Sequence, residues 1–83
     1  MRLREQDLVW REIDGEIVLL DLASSKYLMI NKTGTFLLHL LATEHDQESL
    51  ATALAERFGV TAAVARADTA AFLAILRERQ LLV

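Results

Sequence analysis

The chain has 83 residues, 53 % of them hydrophobic and 25 % charged, with no proline and no cysteine, so a single domain over residues 1–83 must hold by packing alone, burying roughly 60 to 65 % of its unfolded surface. Disulfides and thiolate metal sites are excluded. The net charge of −3 is spread without a basic region, bases against acids running four to six over residues 1–31, two to four over 32–59 and three to two over 60–83, which argues against a protein built to neutralise phosphates.

No apolar run approaches the roughly 20 residues of a membrane span. Met1–Asp7 alternates charges and lacks the apolar stretch of a signal peptide, so a cytoplasmic protein with no membrane contact is expected.

The first third is strand-like, with short runs of β-branched and large apolar residues separated by turn residues. The runs are Leu8 to Ile13, Glu16 to Asp21 and Lys26 to Ile30. Asp14-Gly15 marks a two-residue hairpin, because both central positions of a type I′ turn need positive φ, which glycine adopts freely and aspartate tolerates. Ala23-Ser24-Ser25 makes a looser second turn. Three strands with short links predict an antiparallel meander in the order 1, 2, 3.

The remainder reads as three helices. Asn31 or Thr33 can cap a helix running to about Thr43, with Phe36, Leu37, Leu40 and Leu41 on one stripe. Asp46 caps a second helix bearing Leu50, Ala51, Leu54 and Phe58, and Gly59 stands where a C-terminal glycine cap belongs. Thr61 opens the third, which carries Val64, Ala67, Ala71, Phe72, Ile75 and Leu76 and ends near Arg79, where basic residues suit the helix dipole. Leu81 to Val83 are expected to fold back onto the body. The fold class is therefore α+β, a three-stranded antiparallel sheet followed by three helices in a winged helix-turn-helix-like arrangement.

The inventory for catalysis is nearly empty. His39 and His45 have no carboxylate at a spacing that completes a metal site on one helix face, and both read as edge or loop residues. Ser24 and Ser25 lack a neighbouring base, and the isolated Gly15, Gly34 and Gly59 form no phosphate-cradling loop. Neither an enzyme nor a cofactor is expected.

The third strand stands out. Sheet edges are normally defended by charge, proline or a bulge, and the first strand carries Arg11, Glu12 and Asp14. The third has only Lys26 at its start, followed by Tyr27-Leu28-Met29-Ile30, with Leu28 and Ile30 on one face and Tyr27 and Met29 on the other. Such an edge is open to an extended peptide adding as a fourth strand, to a second copy of strand 3 in a homodimer, or to cover from the chain's own helices or tail.

The series Trp10-Arg11-Glu12-Ile13, Gly15 through Asp21, Lys26 through Asn31 and Thr33-Gly34, followed by an apolar helix, resembles the PqqD-like family, recognition elements that bind leader peptides of ribosomally made natural products. The resemblance covers nearly the whole chain, with isoleucine at position 30 where the family usually has leucine before the asparagine. At this length it looks most like the stand-alone leader-binding protein of lasso-peptide clusters, which acts beside a leader protease and a macrolactam synthetase. The resemblance implies that a precursor leader pairs antiparallel with strand 3 in a cleft against the third helix. Carried over, the site is Lys26, Tyr27, Leu28, Met29 and Ile30 on the strand, and Val64, Asp68, Ala71 and Ile75 on one helix face, with Phe72 at its boundary with the core. Lasso leaders typically carry a tyrosine and, three residues later, a proline, which would suit an apolar cleft. The rival class, a winged-helix nucleic-acid binder, needs a basic recognition helix, whereas the second helix offers Arg57 against Glu48 and Glu56.

Overall fold

The computed structural model describes residues 1–83. Its order is β1 (Leu8–Ile13), β2 (Glu16–Asp21), β3 (Lys26–Ile30), α1 (Lys32–Leu40), α2 (Gln47–Phe58) and α3 (Ala62–Glu78), as the sequence pattern predicts. The sheet is antiparallel in the order β1-β2-β3. Asp14 and Gly15 have φ of 53° and 79° and join Ile13 directly to its partner Glu16, the geometry a type I′ turn demands.

Alternation decides which side of the sheet the helices cover. Ile17, Leu19, Leu28 and Ile30 face the core, and Ile17, Leu19 and Ile30 are buried there with Leu37, Leu38 and Leu41 around α1, Leu50 and Leu54 of α2, and Leu73 and Leu76 of α3. Each helix starts as its side chains require: the Asn31, Asp46 and Thr61 side chains accept from the N–H of Gly34, Ser49 and Val64, satisfying donors that the first turn leaves unpaired. Gly59 ends α2 at φ 66° in the left-handed region.

One expectation needs correction. α1 ends at Leu40 rather than Thr43. Beyond it the N–H groups of Ala42 and Thr43 reach back only three residues, to His39 and Leu40, and the Leu41 carbonyl accepts from Leu3. The buried stripe of α3 is Ala65, Thr69, Leu73 and Leu76, and Val64, Ala71 and Ile75, expected on the cleft face, are exposed, as is Ala67. An alanine-rich helix has too weak a hydrophobic period to fix its own rotation.

The N-terminal segment is structural, which its alternating charges concealed. Leu3 is buried and forms an antiparallel bridge with Leu82, and the backbones of Arg2 and Val83 exchange hydrogen bonds of 3.0 and 2.8 Å. Arg4 ties the two ends to the sheet, donating to Asp21 Oδ1 at 2.6 Å and to the Gln80 carbonyl at 3.0 Å. No helix is long and apolar enough to cross a membrane.

Candidate functional site

In an antiparallel ladder successive residues turn their backbone groups to opposite sides, so the register determines what the β3 edge offers. The N–H of Leu22 donates to the carbonyl of Asp7, one step beyond the pair Leu8 and Asp21. By that parity Leu20, Val18 and Glu16 bond to β1, while Asp21, Leu19 and Ile17 turn toward Lys26, Leu28 and Ile30. The outward groups of β3 are therefore those of Tyr27 and Met29. This narrows the expected row of backbone partners from Lys26 through Ile30 to two residues with two donors and two acceptors.

One of these acceptors has a partner inside the chain. Arg79, the residue that caps α3, donates from Nη1 to the Tyr27 carbonyl at 3.3 Å. Neither the C-terminal tail nor a helix covers the rest of the edge. At the far end of the strand the Thr35 hydroxyl accepts from the Ile17 N–H at 3.0 Å and donates to the Ile30 carbonyl at 3.4 Å, a relay that satisfies two backbone groups where α1 begins.

Beside this edge lies a groove of about 360 Å³ between β3 and α3. Leu28, Met29 and Ile30 form one wall, Asp68, Ala71, Phe72 and Ile75 the other, and Gly34 and Leu37 of α1 close the floor, with Asn31 and Thr33 at one end. Of the 11 lining residues 7 are hydrophobic, so the groove favours apolar anchors over a charged ligand. Ile75 is 42 % exposed, leaving apolar surface for an occupant to cover, whereas the Met29 side chain stands with Tyr27 on the opposite sheet face and Met29 borders the groove through its backbone.

Seven of the ten expected site residues thus line one cavity. Three do not. Lys26 lies at the neighbouring polar hollow with Arg4, Asp21, Ser24 and Arg79. The Tyr27 side chain stands on the sheet face away from the helices, 65 % exposed, and reaches the site only through its backbone. Val64 is exposed one turn before Asp68 and lies outside the lining.

Sequence reasoning missed Gly34 as a site residue. A Cβ there would meet Ile30 Cγ2 at 2.7 Å and Phe72 Cε1 at 3.0 Å, so glycine is what lets α1 approach both walls and set the depth of the groove. The available signal was a lone glycine inside a predicted helix.

The polar hollow is held by Asp21. Burial alone would raise its carboxyl, but hydrogen bonds from Arg4, Ser24 and the Ala23 N–H, with the Arg4 charge, hold it below the usual aspartate value. That ion pair orients the β2–β3 turn and the α3 end, and no group of three or more metal-ligating side chains occurs in the protein. The helices present no basic face either. On α3 Arg66 reaches Glu48 at 3.3 Å, and Asp68 and Glu78 offset the remaining arginines.

An open strand edge flanking an apolar groove, on a sheet backed by three helices, defines a small peptide-docking domain of the winged helix-turn-helix type. Residues 16–82 match the family model described as coenzyme PQQ synthesis protein D (PqqD), and the chain belongs to that family. Two solved structures are similar over nearly their whole length. TbiB1 in complex with the TbiA(beta) leader peptide is 27 % identical with a TM-score of 0.85, covering 99 % of this chain and 94 % of that one. Lasso peptide synthetase B1 complexed with the leader peptide is 29 % identical with a TM-score of 0.80, covering 96 % and 93 %. No curated protein sequence gives a significant match.

Proposed function

We propose that this protein is a non-catalytic leader-recognition element of lasso-peptide biosynthesis, which binds its precursor's leader as an antiparallel fourth strand on β3. The observation that carries the proposal is the coincidence of the open Tyr27 and Met29 backbone edge with the apolar groove, in a chain of the PqqD family that is similar to two proteins solved in complex with leader peptides.

Magnitudes support both halves of the site acting together. The outward backbone groups of β3, three of them free and the Tyr27 carbonyl exchanging its bond from Arg79, contribute about 1 kcal/mol net for each new hydrogen bond, which only begins to offset an association cost of about 4 to 15 kcal/mol. Two or three leader side chains seated on Leu28, Phe72 and Ile75, at about 1.5 to 3 kcal/mol each, bring the sum toward micromolar to nanomolar affinity. The strand edge sets direction and register. The groove supplies most of the free energy and the selectivity. By holding the leader the protein raises the effective concentration of the attached core peptide near a leader protease and a macrolactam synthetase, with no turnover of its own. The test is amide hydrogen exchange with a synthetic peptide carrying a tyrosine and, three residues later, a proline. Binding should protect the Tyr27 and Met29 amides in particular, and binding without protection at either would refute strand addition.

A further inference from the structure

The groove differs in charge from one end to the other. Asp68 lines its cavity, while Lys26 at the start of β3 and Arg79 at the end of α3 line a separate polar hollow, where Arg4, Lys26 and Arg79 outnumber Asp21 and Glu78. The protein's four ion pairs involve none of Asp68, Lys26 or Arg79. The contact from Arg79 to the Tyr27 carbonyl places the C-terminal end of α3 against the start of β3, so α3 runs antiparallel to the strand. Asp68 lies eleven residues earlier in the helix, about 16 Å away at ~1.5 Å per residue.

An antiparallel added strand has its N-terminal end beside Asp68 and its C-terminal end beside Lys26 and Arg79. At ~3.3 Å per residue, about five positions of the strand span the distance between them. We propose that the groove reads the charge polarity of its peptide, favouring a strand with a basic residue at its N-terminal end and an acidic residue about four or six positions later, the even spacings that turn both side chains toward α3; this rests on the strand-addition reading above. Arg79 has two states in this scheme. In the free protein it occupies the Tyr27 carbonyl, and in the complex that carbonyl accepts from the added strand while the released guanidinium pairs with the peptide's carboxylate.

The experiment uses three fluorescent synthetic peptides sharing one segment with a tyrosine and, three residues later, a proline. The flanking pair is lysine then glutamate in the first, glutamate then lysine in the second, and two glutamines in the third. Fluorescence anisotropy at low salt should give the lysine-first peptide about fivefold tighter binding than its reversal, the size expected for exposed charges that change from attraction to repulsion at two ends. The ratio should fall toward one near 1 M salt, where the Debye length is ~3 Å. It should also fall in Asp68→Asn and in Arg79→Gln, with circular dichroism unchanged. Equal or reversed affinities for the two charged peptides would overturn the polarity while leaving strand addition standing. Failure of all three peptides, the neutral one included, would overturn strand addition and the polarity with it.

Discussion

Ile75 separates binding from folding more cleanly than any other groove residue, because it lies on α3 with 42 % of its surface exposed. Truncating it to alanine removes roughly three carbon groups at about 0.8 kcal/mol for each one buried, or about 2.4 kcal/mol if all were newly covered by the peptide. Only the exposed share is newly covered, so Ile75→Ala should cost about 1 kcal/mol of binding, a factor of about five in Kd. Ile75→Glu should do more, since a carboxylate under the bound strand loses its water, a cost that Arg79 one turn further along α3 offsets only in part. At several kcal/mol the expected loss is more than about thirtyfold. The share of Ile75 already covered in the free protein, about 1.4 kcal/mol by the same count, should appear as a lowered urea midpoint, so the affinity loss is read at denaturant-free conditions where each variant is shown to be folded. The assay is fluorescence anisotropy with the neutral tyrosine- and proline-bearing peptide, alongside urea unfolding. Ala74→Glu, on the exposed face of α3 outside the groove, controls for added charge alone. A folded Ile75→Glu protein that binds as tightly as the parent would refute the groove as the source of binding free energy.

Two other substitutions probe the frame around the site. Gly34→Ala places a methyl group within 2.7 Å of Ile30 and 3.0 Å of Phe72, so it should cost about 1 to 3 kcal/mol of stability through overpacking and weaken peptide binding by moving both walls. Unchanged urea midpoint and affinity would show that the close approach is unimportant. Acid should destabilise the fold through Asp21 and Asp46, whose carboxyls are both held below the ordinary aspartate value, Asp46 chiefly by the Ser49 N–H and hydroxyl. Their contribution is present above the unfolded value and disappears as pH falls through the lowered folded value, because the unfolded chain then binds more protons. Thermal melts from pH 5 downward should therefore show a falling Tm. Asp21→Asn should have a lower Tm at neutral pH and a shallower acid limb, and an acid limb as steep as the parent's would exclude Asp21 as a contributor.

Much of this protein was determined locally. The positive φ required at Asp14 and Gly15, the three helix caps at Asn31, Asp46 and Thr61 and the uncharged run from Tyr27 to Ile30 act over a few residues, so the sequence alone was enough to order the strands, start the helices and single out β3 as the open edge. What lay beyond its reach depends on neighbours distant along the chain. The rotation of α3 is set by which of its faces meets the sheet and α2, and its alanines give too weak a period to announce that Ala65, Thr69 and Leu73 go inside. The pairing of Leu3 with Leu82 and the reach of Arg79 to Tyr27 join segments whose local composition carries no trace of the partner. The exposure of Tyr27 and Met29 on the outer edge follows from a register of hydrogen bonds, and the need for glycine at position 34 from the convergence of three elements. Short-range chemistry made the strand available, and tertiary packing made it one wall of a groove.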